Sequence, residues 1–378
     1  MGWKIPLSDI EFDLEERSAV QEVLNSGWLT MGAVTQEFEH EFAKYNGVKH
    51  AFAVNNGTAA LHLACIALKL GPGDEVIVPS LTFVASANAI RYTGATPVFA
   101  DITSENNLVV SPEAIERLIT ERTRAIMVMH YAGYACDMPR IMELAKAHDL
   151  AVIEDAAHAV GSEINGRKLG TWGGAGCFSF FSNKNMTTGE GGMVVTDDDA
   201  VAEQLRILRS HGMTTLTWDR HQGHAWTYDV VALGYNYRTD EIHSALGRVQ
   251  LGKLEQNNSR RRELTTHYRN LLSEMTPSIL VPFQNHPGIS ACHIFPIILP
   301  VGSNRLRFME QMKSNGIQTS IHYPPIHKFN IYSDILIHSD QLTVTDDIAN
   351  REVTLPLYPT LTDDQVVLVT QAVRDALK

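Results

Sequence analysis

Apolar positions along the chain alternate between two periods. Short continuous apolar runs, AFAV (51–54), EVIVPS (75–80), TPVFADI (96–102), TRAIMVMH (123–130) and LAVIEDAA (150–157), have the length of strands buried on both faces. Between them lie segments with helical spacing: AALHLACIALKL, ASANAIRYT, SPEAIERLIT and MPRIMELAKAHD. Gly71-Pro72-Gly73 closes the first of these, and Ser111-Pro112 supplies an N-cap and first-turn proline for the third. At the amino end, Asp13-Leu14-Glu15-Glu16 has capping-box form and predicts a helix that Gly27 ends; EFEHEFAKY follows as a second amphipathic segment. Continuous strands alternating with helices predict an α/β chain whose mainly parallel sheet is covered on both faces. In such sheets ligands bind beyond the carboxyl ends of the strands.

Past residue 198 the pattern changes. AVAEQLRILRSHG (200–212) is helical, and residues 212–235, rich in His, Trp, Thr and Gly, read as a long functional loop. TDEIHSALGRVQLGKLEQ and RRRELTTHYRNLLSEM read as two helices, HIFPIILP (293–300) as a strand, and Thr362-Asp363-Asp364-Gln365 as the cap of the last helix. The lobe boundary is expected near 245, with a large lobe over 1–245 and a smaller one over 246–378.

Length and composition narrow the class. A chain of 378 residues is long for one simple core. Its 44% hydrophobic and 20% charged residues are those of an ordinary globular protein. The formal net charge of -12 provides no basic footprint for nucleic acid, so any anion site must be local. No apolar run approaches the roughly 20 residues of a membrane span, and the first residues lack a signal-peptide pattern. Cys65, Cys136, Cys177 and Cys292 form no CxxC, as expected of a reduced, cytoplasmic chain. There is no G-x-G-x-x-G after the first strand, no Walker A sequence, no HExxH and no G-x-S-x-G. The sixteen histidines show no metal-ligand spacing, and no metal is expected.

Four short features fall at the expected strand ends. Asn55-Asn56-Gly57-Thr58 joins a strand to a helix whose free N–H groups and Thr58 hydroxyl make a phosphate site; an ordinary N-cap is the plainer alternative. Asp155, in IEDAAH, ends an apolar run, where a charge needs a partner such as a cationic ring nitrogen or a structural ion pair. His158 nearby, taken alone, reads first as a core histidine. Lys184, in FSFFSNKNMTTGEGGMVV, follows Ser179 by five positions and sits beside Gly189, Gly191 and Gly192, with flanks poor in other charges. A lysine amine attacks carbonyls only when neutral, which calls for partial desolvation. Gly234-Tyr235-Asn236-Tyr237-Arg238 closes the long loop, with Asn236 and Arg238 able to reach a phosphate or carboxylate. Together these parts suit pyridoxal 5'-phosphate (PLP), which needs a lysine, an acid for its ring nitrogen, a phosphate cup and a flat residue over its ring; Phe83, after the second strand, is the candidate for the last.

With these residues placed, the sequence resembles the DegT/DnrJ/EryC1/StrS family of PLP-dependent sugar aminotransferases. The resemblance runs through IPLS (5–8), SGWLTMG (26–32), NNGTAALHLA (55–64), GPGDEVIVPSLTFVASANAI (71–90), HYAG (130–133), EDAAHAVG (154–161), CFSFFSNKN (177–185), GEGGMVVT (189–196), GYNYR (234–238), IHYPPIH (321–327) and LPLYP (355–359). It implies the aspartate-aminotransferase-like fold (fold type I), with a seven-stranded, mainly parallel sheet in the large domain and a smaller C-terminal α+β domain. It also implies a homodimer with shared active sites. Motif by motif, Lys184 is similar to the Schiff-base lysine, Asp155 to the acid at the pyridine nitrogen, and His158 to the Gln or His beside the ring. Gly57, Thr58 and Ser179 match the phosphate cup, Phe83 the stacking aromatic, and Asn236 an asparagine that reaches the phosphate of the other subunit. Two departures stand out. Ser182-Asn183 precede the lysine where relatives often carry Pro or His, which predicts altered loop packing with the chemistry kept. His158 in place of Gln leans toward the 4-keto-sugar branch.

The resemblance implies ping-pong transfer from an amino acid, L-glutamate, to a nucleotide-linked 4-keto-6-deoxy sugar in amino-sugar biosynthesis, through the pyridoxamine 5'-phosphate form of the cofactor. Arg238, His322, Tyr323 and the run Arg260–Arg262 are the candidate substrate contacts, although an exposed helix face is the first reading of the run. On the same fold, a sugar 3-dehydratase would carry His in place of Lys184. An aminodehydroquinate-type enzyme would keep the lysine, and a PLP-binding regulator would need neither intact catalysis nor both charged residues.

Overall fold

The computed structural model describes residues 2–215, 223, 227–335 and 342–378. Thirteen strands are numbered here in chain order among those residues. β1 (His50–Val54), β2 (Glu75–Pro79) and β3 (Thr96–Ala100) precede a hairpin, β4 (Ile102–Ser104) and β5 (Asn107–Val110). β6 (Thr123–Met129) and β7 (Ala151–Asp155) precede a second, β8 (Glu163–Ile164) and β9 (Arg167–Lys168). β10 (Ala175–Ser179) and β11 (Gly192–Thr196) complete the large sheet, whose order is β1-β11-β10-β7-β6-β2-β3. β11 runs antiparallel to both neighbours and the other neighbouring pairs are parallel. The carboxyl ends of β1, β10, β7, β6 and β2 therefore share one rim.

Period-two alternation distributes each strand between two cores. Val76 and Val78, Ala125 and Met127, Ile153, Cys177 and Val194 face one. Ile77, Ile126 and Val128, Val152, Phe178, Met193 and Val195 face the other. α3 (Gly57–Ala67), α4 (Val84–Tyr92) and α7 (Asp199–Leu208) cover the first face. α2 (Ala33–Asn46), α5 (Pro112–Leu118) and α6 (Met138–Ala147) lie on the second. The second core continues without a gap into the C-terminal lobe through Leu254, Leu264, Tyr268 and Ile297.

α1 (Leu14–Ser26) has the expected capping box on Asp13 and ends at Gly27 in the left-handed region. The two helices expected between 239 and 275 are one, α8 (Glu241–Met275). Asn257, Asn258 and Ser259 separate the two expected segments, but Asn258 is buried: its Nδ2 donates to Val160 O (3.0 Å) and its Oδ1 accepts from Asn185 (2.7 Å). Tertiary partners, absent from any local pattern, satisfy the polar side chain that would otherwise end the helix. The long segment 212–235 begins as two paired arms, with Val231 N donating to Gly212 O (2.9 Å) and Thr214 N to Asp229 O (3.0 Å); residues 216–222 and 224–226 lie outside the described set.

The C-terminal lobe is built on β12 (Phe295–Ile298) and β13 (Glu352–Leu355), antiparallel, with α9 (Arg305–Ser314), α10 (Thr343–Arg351) and α11 (Asp363–Ala376). The Thr362–Gln365 capping box opens α11 as expected. The amino-terminal strap belongs spatially to this lobe: Ile5 N donates to Gly316 O (3.1 Å) and Leu357 N to Leu7 O (3.2 Å). Among the described residues no helix is long and apolar enough to cross a membrane.

Candidate active site

A cavity of about 940 Å³ opens at the shared strand rim, with Lys184, Asp155, His158, Phe83, Ser179 and Tyr323 in its wall. The Lys184 segment reaches it because β10 stops at Ser179, earlier than the run FSFF suggests. Phe180 leaves the sheet and packs on Phe38 and Phe42, with ring centroids 5.6 and 5.5 Å away, while Phe181 turns to the cavity. Ala175 and Gly176 at the strand's start carry no β-branched side chain, so the sequence shifts the apparent strand forward. Glycine is required where β11 begins: a Cβ on Gly192 would lie 2.7 Å from the Asn56 carbonyl.

Burial lowers the Lys184 ammonium to about 8, against the opposing pull of Asp155. Its amine is thus substantially neutral in mildly alkaline water. Asp155 closes β7 and is buried. Burial raises its carboxyl above the usual carboxylate range, only partly offset by Ser86 Oγ donating to Oδ2 (2.7 Å), Ala157 N donating to Oδ1 (3.2 Å) and the charge of Lys184. Ser86 is itself linked to Thr82 at 2.9 Å. Ser86 was not visible as a site residue in sequence, where it is one small position in an amphipathic helix.

His158 is buried and has both ring nitrogens engaged. Nδ1 accepts from Ala132 N (3.3 Å), so the neutral ring carries its proton on Nε2 and donates it to Tyr323 Oη (2.9 Å). Burial first, then Lys184 and His322, hold its pKa well below the usual histidine range. The Tyr323 phenol, pushed far up by burial, keeps its own proton, which His158 does not take. Phe83 is not a core side chain: it is 53% exposed at the start of α4, facing Tyr323 at 5.8 Å.

At the β1–α3 turn, Asn56 caps the helix by accepting from Ala59 N (2.8 Å), so Thr58 is free of that task. Gly57 permits close approach: a Cβ there would meet Ser179 Cβ at 2.9 Å. Gly57, Thr58 and Ser179 thus meet at the cavity wall.

The GYNYR segment divides by alternation. Tyr235 and Tyr237, stacked at 5.0 Å, line the cavity beside His62. Asn236 and Arg238 do not; Asn236 is exposed, and Arg238 bridges to Val54. The Arg260–Arg262 run is absent from the cavity wall too, and it is not the exposed face expected. Arg261 is buried and donates to His293 O (3.1 Å) and Leu357 O (2.9 Å), while Arg260 pairs with Asp363 (2.8 Å). The run fastens α8 to the C-terminal lobe.

Compared with known proteins, residues 11–374 match the DegT/DnrJ/EryC1/StrS aminotransferase family. The chain belongs to this family. It is 41% identical over 370 residues to the spore coat polysaccharide biosynthesis protein SpsC of Bacillus subtilis, covering 96% of this chain and 95% of that protein. Among solved structures it is similar to Helicobacter pylori PseC, an aminotransferase in pseudoaminic acid biosynthesis, at a TM-score of 0.90 and 32% identity over 99% of both chains. It is also similar to DesI, solved in the presence of its TDP-sugar product, at a TM-score of 0.89 and 30% identity over 100% of this chain and 93% of the other. The chain is thus an enzyme with the aminotransferase fold.

Proposed function

We propose that this enzyme uses PLP to move an amino group from an amino acid, L-glutamate, to a nucleotide-linked keto-sugar of the 4-keto-6-deoxy class. The observation that carries the reading is the convergence of Lys184 and Asp155, from separate strand ends, on one cavity with the opening turn of α3. The donor set fits the cofactor: a depressed lysine for its aldehyde, a buried carboxyl for its ring nitrogen, and a cradle at Gly57 that a Cβ would fill. Thr58 and Ser179 would share the phosphate, Phe83 would stack on the ring, and His158 would lie beside it.

When bound, PLP supplies an aldehyde that takes up the amine and a ring that accepts electrons. The chain's residues do the rest. Lys184 Nζ would hold the aldehyde and, as a free neutral amine, would take the proton from the carbon bearing the donor's nitrogen and give that proton back on the cofactor side of the same nitrogen. Asp155, held by Ser86 and Ala157 N, would hold the ring nitrogen and keep its proton in place. His158, locked neutral, orients Tyr323 and adds no competing positive charge beside Lys184.

The exposed Asn236, beside the exposed apolar Val230, Val231 and Leu233, supports a homodimer in which Asn236 of one copy serves the phosphate of the other. Sedimentation of the purified protein tests this, with a dimer expected. The reaction is tested by loading the protein with PLP and L-glutamate, then offering 3-keto and 4-keto nucleotide sugars while following the cofactor's absorbance. Recovery of the starting spectrum with a 4-keto sugar supports the reading; no recovery with any keto sugar overturns it.

A further inference from the structure

We propose that Glu352, Thr354 and His322 form a proton relay ending in the active-site cavity, with His322 Nε2 as its terminal and the departing oxygen of the substrate carbonyl as its partner. The relay rests on the aminotransferase reading only for the identity of that oxygen.

β13 places Glu352 and Thr354 two residues apart, on one face of the strand. Both are buried, at 0% and 1% exposure. Thr354 Oγ1 lies 2.6 Å from Glu352 Oε1 and 2.8 Å from His322 Nδ1. The other carboxyl oxygen, Oε2, accepts the backbone N–H of His322 (2.9 Å), and Tyr131 Oη donates to the His322 carbonyl. The imidazole is thus held from its backbone and from one ring nitrogen. His322 lines the cavity with Lys184 and Tyr323, and with Nδ1 turned to Thr354 its Nε2 is the ring nitrogen left for another partner.

A hydroxyl has one proton and can accept as well as donate, so the chain is complete in two senses. With Glu352 ionised, Thr354 donates to it and accepts from His322 Nδ1–H, leaving Nε2 bare. With Glu352 protonated, its Oε1–H donates to Thr354, Thr354 donates to Nδ1, and Nε2 carries the proton. Passing from the second to the first breaks the Glu352 O–H bond and leaves its electron pair on the carboxylate. One proton moves to Thr354 Oγ1, the Thr354 proton moves to Nδ1, and the Nε2 proton moves to the substrate oxygen. Amino transfer replaces a C=O with a C–N bond, and the oxygen leaves as water only after taking protons.

The imidazole never becomes a cation in this exchange. That suits its surroundings, since burial and Lys184 lower the His322 pKa to about 4. Burial raises the Glu352 carboxyl to about 8, opposed by Thr354, the His322 N–H and Arg305, so both relay states lie within reach near neutrality. The titratable and charged groups facing the relay are Arg305, Tyr131, Tyr323, Lys184, His158 and His293.

The test joins a structural and a kinetic reading. In protein labelled with ¹⁵N in histidine, with His322 signals assigned through His322→Gln, raising the pH through 8 is expected to move His322 from the Nε2–H to the Nδ1–H neutral form. Thr354→Val should abolish that movement, Thr354→Ser should keep it, and Glu352→Gln, the second variant should Thr354→Val fail to fold, should abolish it as well. His322 signals that titrate as in wild type in Thr354→Val or Glu352→Gln, or that report an imidazolium, overturn the relay. With a keto-sugar acceptor, Thr354→Val should lower kcat by about 100-fold and leave KM within about twofold; an unchanged kcat overturns it. The ¹⁵N reading needs no acceptor, so failure of the relay is distinguishable from failure of the functional reading.

Discussion

The two walls of the cavity are built on different principles. The strand-rim wall presents Gly57, Thr58, Asp155, Ser179 and Lys184, each at or just past a strand's end. Its groups are two opposite charges and the small residues of a helix-opening turn, and what they can do depends on their position alone. The lobe wall presents His322 and Tyr323, backed by Thr354, Glu352 and His293. Its groups are neutral imidazoles and hydroxyls backed by one carboxyl, and its chemistry depends on which partner donates. One wall fixes where charges sit; the other fixes the sense of the hydrogen bonds that lead from a single carboxyl.

Replacements in the two walls should differ in size and kind. The largest effect is expected from Lys184→Ala: amino transfer should fall by about 10⁴-fold, with loss of the lysine-bound cofactor spectrum. A variant that keeps both spectrum and repeated turnover would move the chemistry off the strand rim. Asp155→Asn should cost about 100-fold in kcat by removing the fixed charge at the ring nitrogen. Its supporting variant, Ser86→Ala, should cost about tenfold, the weight of one hydrogen bond to a charged group. Steady-state rates with a fixed acceptor would rank the two.

Gly57→Ala sharpens the comparison from the packing side. Its Cβ would press on Ser179 at 2.9 Å. We expect PLP affinity to fall by about tenfold and stability by about 1–2 kcal/mol, measured by equilibrium dialysis and urea unfolding. The smallest effect concerns pH. Without cofactor, reaction of Lys184 with added pyridoxal should rise with pH through about 8, because only the neutral amine attacks. The Asp155 carboxylate raises the lysine's pKa, so Asp155→Asn should move that midpoint downward. A midpoint that stays put or climbs would show that the charges of the strand-rim wall are not coupled through this pair.

How far the sequence could be read follows from how local each feature is. The strands β2, β6 and β7 are continuous apolar runs, and Asp155 stands out as a charge at the end of one. The capping boxes at Asp13 and Thr362 are contained within four residues each and are present as written. The start of β10 was obscured by Ala175 and Gly176, which lack strand character and are buried by neighbours on both sides. The continuity of α8 through QNNS and the burial of Arg261 depend on partners far along the chain: Val160, Asn185, His293 and Leu357. Ser86 and Thr354 are common small residues whose importance lies wholly in what they touch.

The sequence by itself determined the alternation of strand and helix, the polar residues that terminate the strands, and through them the class of chemistry at the rim. Those properties arise from spacing and from the cost of placing a charge at the end of an apolar run. Only the tertiary structure decided which nitrogen of His158 holds its proton, that Asn236 and Arg238 do not line their own cavity, and that Glu352, Thr354 and His322 form one chain. The reason is physical: a hydrogen bond's direction belongs to a pair of atoms, and here the pairs join residues that the chain keeps apart until it folds.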